Sequence, residues 1–259
     1  MPLRLPQTTL DNKNDYFNLI ENICKNGNII CTVSDASKNE ILSFFPMSKN
    51  SVYNTYQTYD EEIYNYIENK CEEFREVGNL FNILPYNYFL FFGSLEPKKN
   101  IGRLIEAFLA SNSSRKLVIV GAMGWKNEKE LRFLQHGIDC GRIIHIEYLP
   151  RYLLVSLLIH ARALLFPSLA EGFGLPALEA LVCGTPVVCS LEGGLREVVG
   201  NSAITVDAYD INSITAGIVK IDNDDDLYKE LNNKGPIQAK IYSPKKYQDR
   251  LEKFYNDIL

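Results

Sequence analysis

From Tyr88 onward the chain alternates between two patterns. Short, mainly apolar runs stand at 88–92, 116–120, 142–146, 163–166 and 186–189. Between them, apolar residues recur every three or four positions. Short apolar runs read as strands buried on both faces, and the longer period reads as helix. The expected order is strand 88–92, helix 101–110, strand 116–120, helix 126–136, strand 142–146, helix 151–160, strand 163–166, helix 175–183 and strand 186–189. A short helix near 195–199, a strand at 203–206 and a helix over 211–220 continue the series. Strands and helices alternating at this spacing form a parallel sheet covered on both faces. Such sheets bind ligands outside the carboxyl ends of their strands.

The flanks are less regular. Residues 1–14 are polar, and Asp15 to Lys25 forms an amphipathic helix with Phe17, Leu19, Ile20 and Ile23 inward. Asn28 to Val33 reads as a strand, and Ser34 to Glu40 offers N-cap candidates for a helix carrying Ile41, Leu42 and Phe45. A helix is expected from Asp60 to Glu76, with Tyr59, Tyr64 and Tyr66 as a half-buried face. Asp222 to Asp226 reads as a solvated loop without the glycine and distal glutamate of an EF-hand, and Pro244 to Ile258 as an amphipathic helix. The chain then divides into a leading region (1–79), a Rossmann-like ligand-binding domain (80–222) and C-terminal helices (223–259).

Composition removes several classes of function. The 259 residues suffice for a substantial core, and the net charge of −5 gives no footprint for nucleic acid. No run reaches the roughly 18 apolar residues of a membrane span, and Met1-Pro-Leu-Arg-Leu-Pro6 lacks the apolar stretch of a signal peptide. Cysteines 24, 31, 71, 140, 183 and 189 show no paired C-x-x-C spacing, so they read as reduced thiols of a cytoplasmic protein without a structural metal. Histidines 136, 145 and 160 lie far apart in sequence with no triad or metal-ligand spacing, and His160 reads as a packing residue.

Candidate chemistry concentrates in residues 163–190, which read as strand, loop, helix and strand. Gly172 and Gly174 let the loop turn sharply and let a ligand reach its amides, and Pro176 suits a first helical turn. A phosphate or diphosphate is the natural guest of that helix start. Glu171 and Glu179 would repel the same anion, so they are expected to accept hydrogen bonds from neutral hydroxyls beside it. A diphosphate with hydroxyls on both sides is a nucleotide sugar. Gly172-x-Gly174-x-x-Ala177 also fits the loose dinucleotide fingerprint, but that fingerprint normally opens the first βα unit and here comes after several. Upstream, Gly93 ends a strand, and Lys98 and Lys99 stand where they can neutralise a diphosphate; cations at a helix start want an anion. Gly121-x-x-Gly124 marks another strand-to-loop turn, and Gly193-Gly194 could approach a phosphate or sugar, with Glu197 capping a short helix.

The stretch Glu171-Gly-Phe-Gly-Leu-Pro-Ala-Leu-Glu179-Ala180 resembles the motif of two glutamates separated by seven residues in retaining glycosyltransferases of family 4. The likeness runs from about Ile29 to Asp222 and includes Val33-Ser34-x-x-Ser37-Lys38. It implies an α/β fold, the Rossmann-like doubly wound C-terminal half of a GT-B protein, with additional N- and C-terminal helices. By position, Glu171 would touch the hydroxyls of the transferred sugar and Glu179 the ribose hydroxyls, while the amides of Phe173 and Gly174, beside Leu175, face sugar and phosphates. Lys99 matches the family's phosphate-clamping lysine, whereas Ser94 stands where many members have an arginine, with Lys98 or Arg103 as substitutes. Segment 145–150 would hold the base through backbone groups.

The resemblance thus implies transfer of a hexose, mannose or glucose, from a UDP- or GDP-linked donor to a glycan or lipid-linked acceptor, with retention and without metal or cofactor. Glu171 and Lys99 would be the catalytic pair; Gly93, Ser94, Lys98, Phe173, Gly174, Leu175 and Glu179 would bind the donor. The family's N-terminal acceptor domain has no counterpart in this chain, which makes a separate N-terminal half a candidate partner and removes the usual seat of the last helix. A non-catalytic nucleotide-sugar-binding or partner-docking module is the alternative. The expected location is cytoplasmic, compatible with a peripheral place at a membrane.

Overall fold

Tyr88–Phe92 contains only aromatic and leucine side chains, all of them buried, and it takes a central place in the sheet. The computed structural model describes residues 13–45, 51–68, 70–124 and 132–259. The leading region holds α1 (Lys13–Lys25), β1 (Ile30–Thr32), α2 (Asp35–Phe44), β2 (Val52–Asn54), α3 (Ile63–Glu68) and α4 (Lys70–Phe81). Next come β3 (Tyr88–Phe92), a 3-10 turn at Pro97–Lys99, α5 (Ile101–Ala110), β4 (Lys116–Val120), α6 (Leu134–Asp139), β5 (Ile143–Ile146), α7 (Arg151–Ile159) and β6 (Ala163–Phe166). The remainder is α8 (Leu175–Val182), β7 (Val187–Cys189), α9 (Leu195–Val199), β8 (Ile204–Thr205), α10 (Ile211–Asn223), α11 (Asp225–Ala239) and α12 (Pro244–Ile258).

Six strands form one parallel sheet in the order β5-β4-β3-β6-β7-β8. The chain builds outward from β3 to β5, returns through α7 to the other side of β3, and builds outward again to β8. That is the doubly wound Rossmann order, and it opens a crevice between the carboxyl ends of β3 and β6. Right-handed crossovers put successive helices on opposite faces of the two halves. Accordingly α5 packs with α6 and α10, whereas α8 packs with α9 and α11.

A second, smaller core lies in the leading region. Ile20, Ile30, Phe45 and Val52 meet between α1, α2 and the two-stranded parallel sheet of β1 and β2. The last helix, α12, has no fully buried residue, yet it does have a seat. Arg250 lies over the rings of Tyr56 and Tyr242, and Phe254 meets Tyr53 edge-on at 5.1 Å.

Several expectations need correction. The predicted helix over 60–76 is present as α3 and α4, with residue 69 outside the described residues. Tyr59 is buried and Tyr66 packs against the core, as a half-buried face requires; the Tyr64 side chain lies outside the described set. Most of the predicted helix at 126–136 falls outside the described residues, and the helix seen is α6. Asp222 to Asp226 is not a loop: Asp222 lies in the last turn of α10 paired with Arg115, and Asp224 caps α11 by accepting from the Leu227 amide at 2.8 Å. Aspartates suit a helix start, where they meet unpaired amides and the positive end of the dipole. His160 is a packing residue, its Nδ1 2.9 Å from the Ser156 carbonyl and its ring 4.4 Å from that of Phe74. Cysteines 24, 31, 140, 183 and 189 are free thiols.

Arg162 closes the amino edge of this sheet. It is buried, donates through Nε to the Ile221 carbonyl at 2.8 Å, and its guanidinium lies 4.7 Å from the Tyr228 ring centroid. Its ion pair with Asp225 is 2.7 Å, but the aspartate side chain is 76% exposed. Solvent screens such a pair, so the buried hydrogen bond and the stacking carry the stabilisation. Arg162→Met should therefore lower unfolding free energy by about 1–3 kcal/mol, and Asp225→Asn should lower it far less. Urea denaturation of the two variants measures the difference; equal effects would show that the ion pair dominates.

Candidate active site

Two loops meet in the crevice. After β3, Gly93 turns with φ +135°, and the chain passes exposed Ser94 to the 3-10 turn that ends at Lys99. After β6, residues 167–174 lead into α8. The Leu169 amide donates to the Lys98 carbonyl at 2.8 Å, which stitches the loops together. Asn100, in the left-handed conformation that asparagine tolerates, donates its side-chain amide to the carbonyls of Pro167 (2.9 Å) and Ala208 (2.7 Å). It thereby ties the start of α5 to the segments that follow β6 and β8.

The loops bring Lys99 and Glu171 together. Lys99 Nζ lies 2.6 Å from Glu171 Oε1, with both side chains about nine-tenths buried. The same ammonium stands 4.7 Å from the Phe166 ring centroid. Residues 72 positions apart thus form a charge pair at the switch point of the sheet. A second pair lies nearby in sequence: Glu179 Oε2 accepts from Arg151 Nη1 at 2.8 Å. Arg151, the first residue of α7, is absent from the sequence-derived site. Its signal was a cation at a helix start, which wants an anion there.

The start of α8 is open. Gly174 has φ +108°, no side chain caps the helix, and among the described residues no acceptor pairs with the amides of Phe173, Gly174 or Leu175. Helix starts with unpaired amides beside a buried cation attract anions. The Phe173 ring turns to Tyr56 and Tyr242, at 6.3 and 5.2 Å, so it anchors the loop while its amide stays available.

The other predicted residues divide. Gly93 faces the Lys99 stem, 3.9 Å from where a Cβ would stand. Lys98 pairs with Glu96 at 3.3 Å and is partly exposed. Arg103 donates to Asn100 Oδ1 at 3.0 Å and lies over Tyr209, which commits it away from Lys99. Gly121 and Gly124 serve packing: a Cβ on them would lie 2.0 Å from the Gly93 carbonyl and 2.6 Å from the Leu95 carbonyl. The Gly193-Gly194 pair also serves packing. A Cβ on Gly193 would lie 2.1 Å from the Glu171 carbonyl oxygen, and the Gly194 amide donates to that oxygen at 3.0 Å. Glu197 does cap a helix, though a distant one: it accepts from the amides of Asp35 (2.9 Å) and Ala36 (2.8 Å) at the start of α2. No group of three or more metal-ligating side chains occurs among the described residues.

Residues 78–238, more than half of the chain, match the sequence model of the family described as glycosyl transferases group 1. The chain belongs to that family. Its similar proteins include the O-antigen chain mannosyltransferase B of Escherichia coli, 33% identical over 83% of this chain and 57% of that protein. The serotype-specific mannosyltransferase WbdA of Escherichia coli is 27% identical over 83% of this chain and 27% of its own length. The chain therefore spans about half the length, or less, of these curated relatives. Among solved structures, HepE of Anabaena in complex with UDP and glucose superposes with TM-score 0.79 at 17% identity, covering 97% of this chain and 69% of that one. Sucrose-phosphate synthase of Thermosynechococcus elongatus gives TM-score 0.78 at 18% identity, over 97% of this chain and 64% of that one. At these identities the superpositions establish the fold, the Rossmann-like parallel sheet of the glycosyltransferases. The rival dinucleotide reading of Gly172 and Gly174 falls with the family assignment.

In this chain, the packing of Gly193 against Glu171 should be sensitive to a single methyl group. Gly193→Ala should cost at least about 2 kcal/mol, from the left-handed φ of +61° and the carbonyl contact together. Gly141→Ala, at φ +68° with nothing within 4 Å, should cost only about 1 kcal/mol. Thermal and urea unfolding compare them, and equal losses would rule out the loop contact as a constraint.

Proposed function

We propose that this chain is the donor-binding half of a retaining hexosyltransferase that takes mannose or glucose from a nucleotide diphosphate sugar. The observation that carries the reading is the buried Lys99–Glu171 pair beside the uncapped start of α8, in the crevice at the switch point. In this reading Lys99 and the amides of Phe173, Gly174 and Leu175 take the diphosphate, with Gly93 leaving room for the backbone and Ser94 and Lys98 at the rim. Glu171 accepts from the hydroxyls of the transferred sugar, and Glu179 from those of the ribose. When the anomeric carbon–oxygen bond breaks, the electron pair passes to the phosphate oxygen. A fixed ammonium and fixed amides meet that charge without solvent reorganisation, so no metal is required.

The names of the relatives favour mannose and an O-antigen-like glycan acceptor, and the complexes of HepE with UDP and glucose favour a uridine donor. The acceptor site belongs to an N-terminal half, on this polypeptide or on a partner. Exposed Met123, Tyr148, Leu175 and Tyr209 on the loops and helix starts that follow β4, β5, β6 and β8 suit such a body across the crevice. They also favour the second reading, a docking module that binds donor without turning it over. Among the described residues no helix is long and apolar enough to cross a membrane. The proposed location is the cytoplasm, peripheral to a membrane where the acceptor is lipid-linked.

Calorimetric titration with UDP, GDP and their glucose and mannose conjugates tests the donor site. One nucleotide should bind saturably. Lys99→Ala should weaken the diphosphate by roughly tenfold or more, as expected for loss of a charged hydrogen bond, and the corresponding nucleoside much less. A Lys99→Met, Glu171→Gln double variant keeps the crevice neutral and controls for destabilisation by an unpaired carboxylate. No saturable binding at millimolar nucleotide would overturn the reading.

A further inference from the structure

Glu179 is a long side chain with three rotatable bonds, placed in the second turn of α8 and 14% exposed. Left to itself, such a carboxylate samples several rotamers, and ordering it opposes binding. Here one oxygen, Oε2, is held by Arg151 Nη1 at 2.8 Å, a charge-assisted bond. The guanidinium has five N–H donors and spends only this one on Glu179. Arg151 opens α7 directly after Pro150, where no side chain caps the helix and the dipole disfavours a cation. Its charge also faces Asp60. The arginine is thus anchored between the end of β5 and the second turn of α8.

We propose that Arg151 is a positioning residue for nucleotide recognition: it fixes Glu179 through Oε2 and leaves Oε1 to accept from the ribose hydroxyls. This rests on the reading of Glu179 as the ribose acceptor. The pair has an electrostatic consequence as well. Glu171 has Lys99 as its counter-ion and Glu179 has Arg151, so an incoming diphosphate meets two neutralised carboxylates rather than two repelling ones. Lysine in place of Arg151 would keep the charge but lose the planar fork that sets the carboxylate's orientation.

The test compares each nucleoside diphosphate with its 2′-deoxy counterpart by calorimetry. The wild-type chain should prefer the ribonucleotide about tenfold or more, the range expected for a hydrogen bond to a carboxylate. Arg151→Ala should bring that preference below about threefold, and Arg151→Lys should restore part of it. Glu179→Gln added to Arg151→Ala should produce little further loss, because the two residues act as one unit. Lys99→Ala should lower both affinities and leave the preference intact. If Arg151→Ala and Arg151→Lys weaken both nucleotides equally, Arg151 is merely structural and the proposal fails while the donor-site reading stands. A wild-type chain that binds without preferring ribose overturns the role of Glu179 and this proposal together, and one that binds no nucleotide overturns the donor-site reading with it.

Discussion

A lysine and a glutamate cannot be taken out of water cheaply, and the buried Lys99–Glu171 contact sets the terms for everything around it. Removing two charges from solvent costs several kcal/mol per ion unless geometry and further partners compensate. Replacing such a pair by apolar side chains is often neutral or better for stability. The pair is therefore weak as a stability device and informative as a site. It holds a cation and an acceptor in a crevice where a ligand's own charges can exchange with them. Phe166 contributes the face of its ring to the ammonium, so the lysine keeps a partner on the protein side whichever anion it meets.

Holding that contact requires backbone to approach backbone on both sides. The loop after β3 is pressed by the loop after β4, where Gly121 leaves no Cβ against the Gly93 carbonyl. The Glu171 loop is pressed by Gly193 and Gly194. The second contact extends further through α9, since Glu197 caps α2 and Ser37 on that helix reaches the Gly172 carbonyl at 3.4 Å. Tyr56, Phe173 and Tyr242 complete the ring of supports, with Tyr56 also donating to Asp35 at 3.0 Å. Burial and that bond hold the Tyr56 phenol far above its usual range, so it remains a donor at any working pH. Supports from positions 35 to 242 thus converge on residues 171–174 of the loop after β6.

The legible part of this design is the local part. Strand runs such as 88–92 and 163–166 announce themselves because parallel strands buried on both faces cannot carry polar residues. The Glu171–Glu179 loop shows itself through glycines and a proline whose backbone demands are local. Elements needing tertiary support were missed or misplaced. β2 is three residues long and exists because β1 lies beside it. The start of α11 reads as a loop in the sequence, and inside the helix Gly235 lets α8 come within 3.1 Å of where its Cβ would stand. Glu197 looks like the cap of its own short helix, and only the fold shows that its amides lie some 160 positions away. Arg151 shows only as a cation at a helix start, and its partner cannot be named from the sequence because that anion lies on another helix.

The two ion pairs, taken together, explain how a motif built on paired glutamates can serve an anionic ligand. An acceptor of hydroxyl hydrogen bonds must be ionised to be strong, and an ionised carboxylate near a diphosphate opposes it. A cation for each carboxylate resolves the conflict without changing what the carboxylate can accept. Lys99 and Arg151 do this from different elements, the turn after β3 and the start of α7. The two pairs differ in burial, and the difference matches their neighbours. In the proposed reading Lys99 is sealed where charge would develop during bond cleavage and a low dielectric would strengthen it, whereas Arg151, 36% exposed, would need only to orient its carboxylate. On the proposed reading the same residue chemistry separates into a stabilising role at one glutamate and a steering role at the other, in step with the different burial of the two pairs.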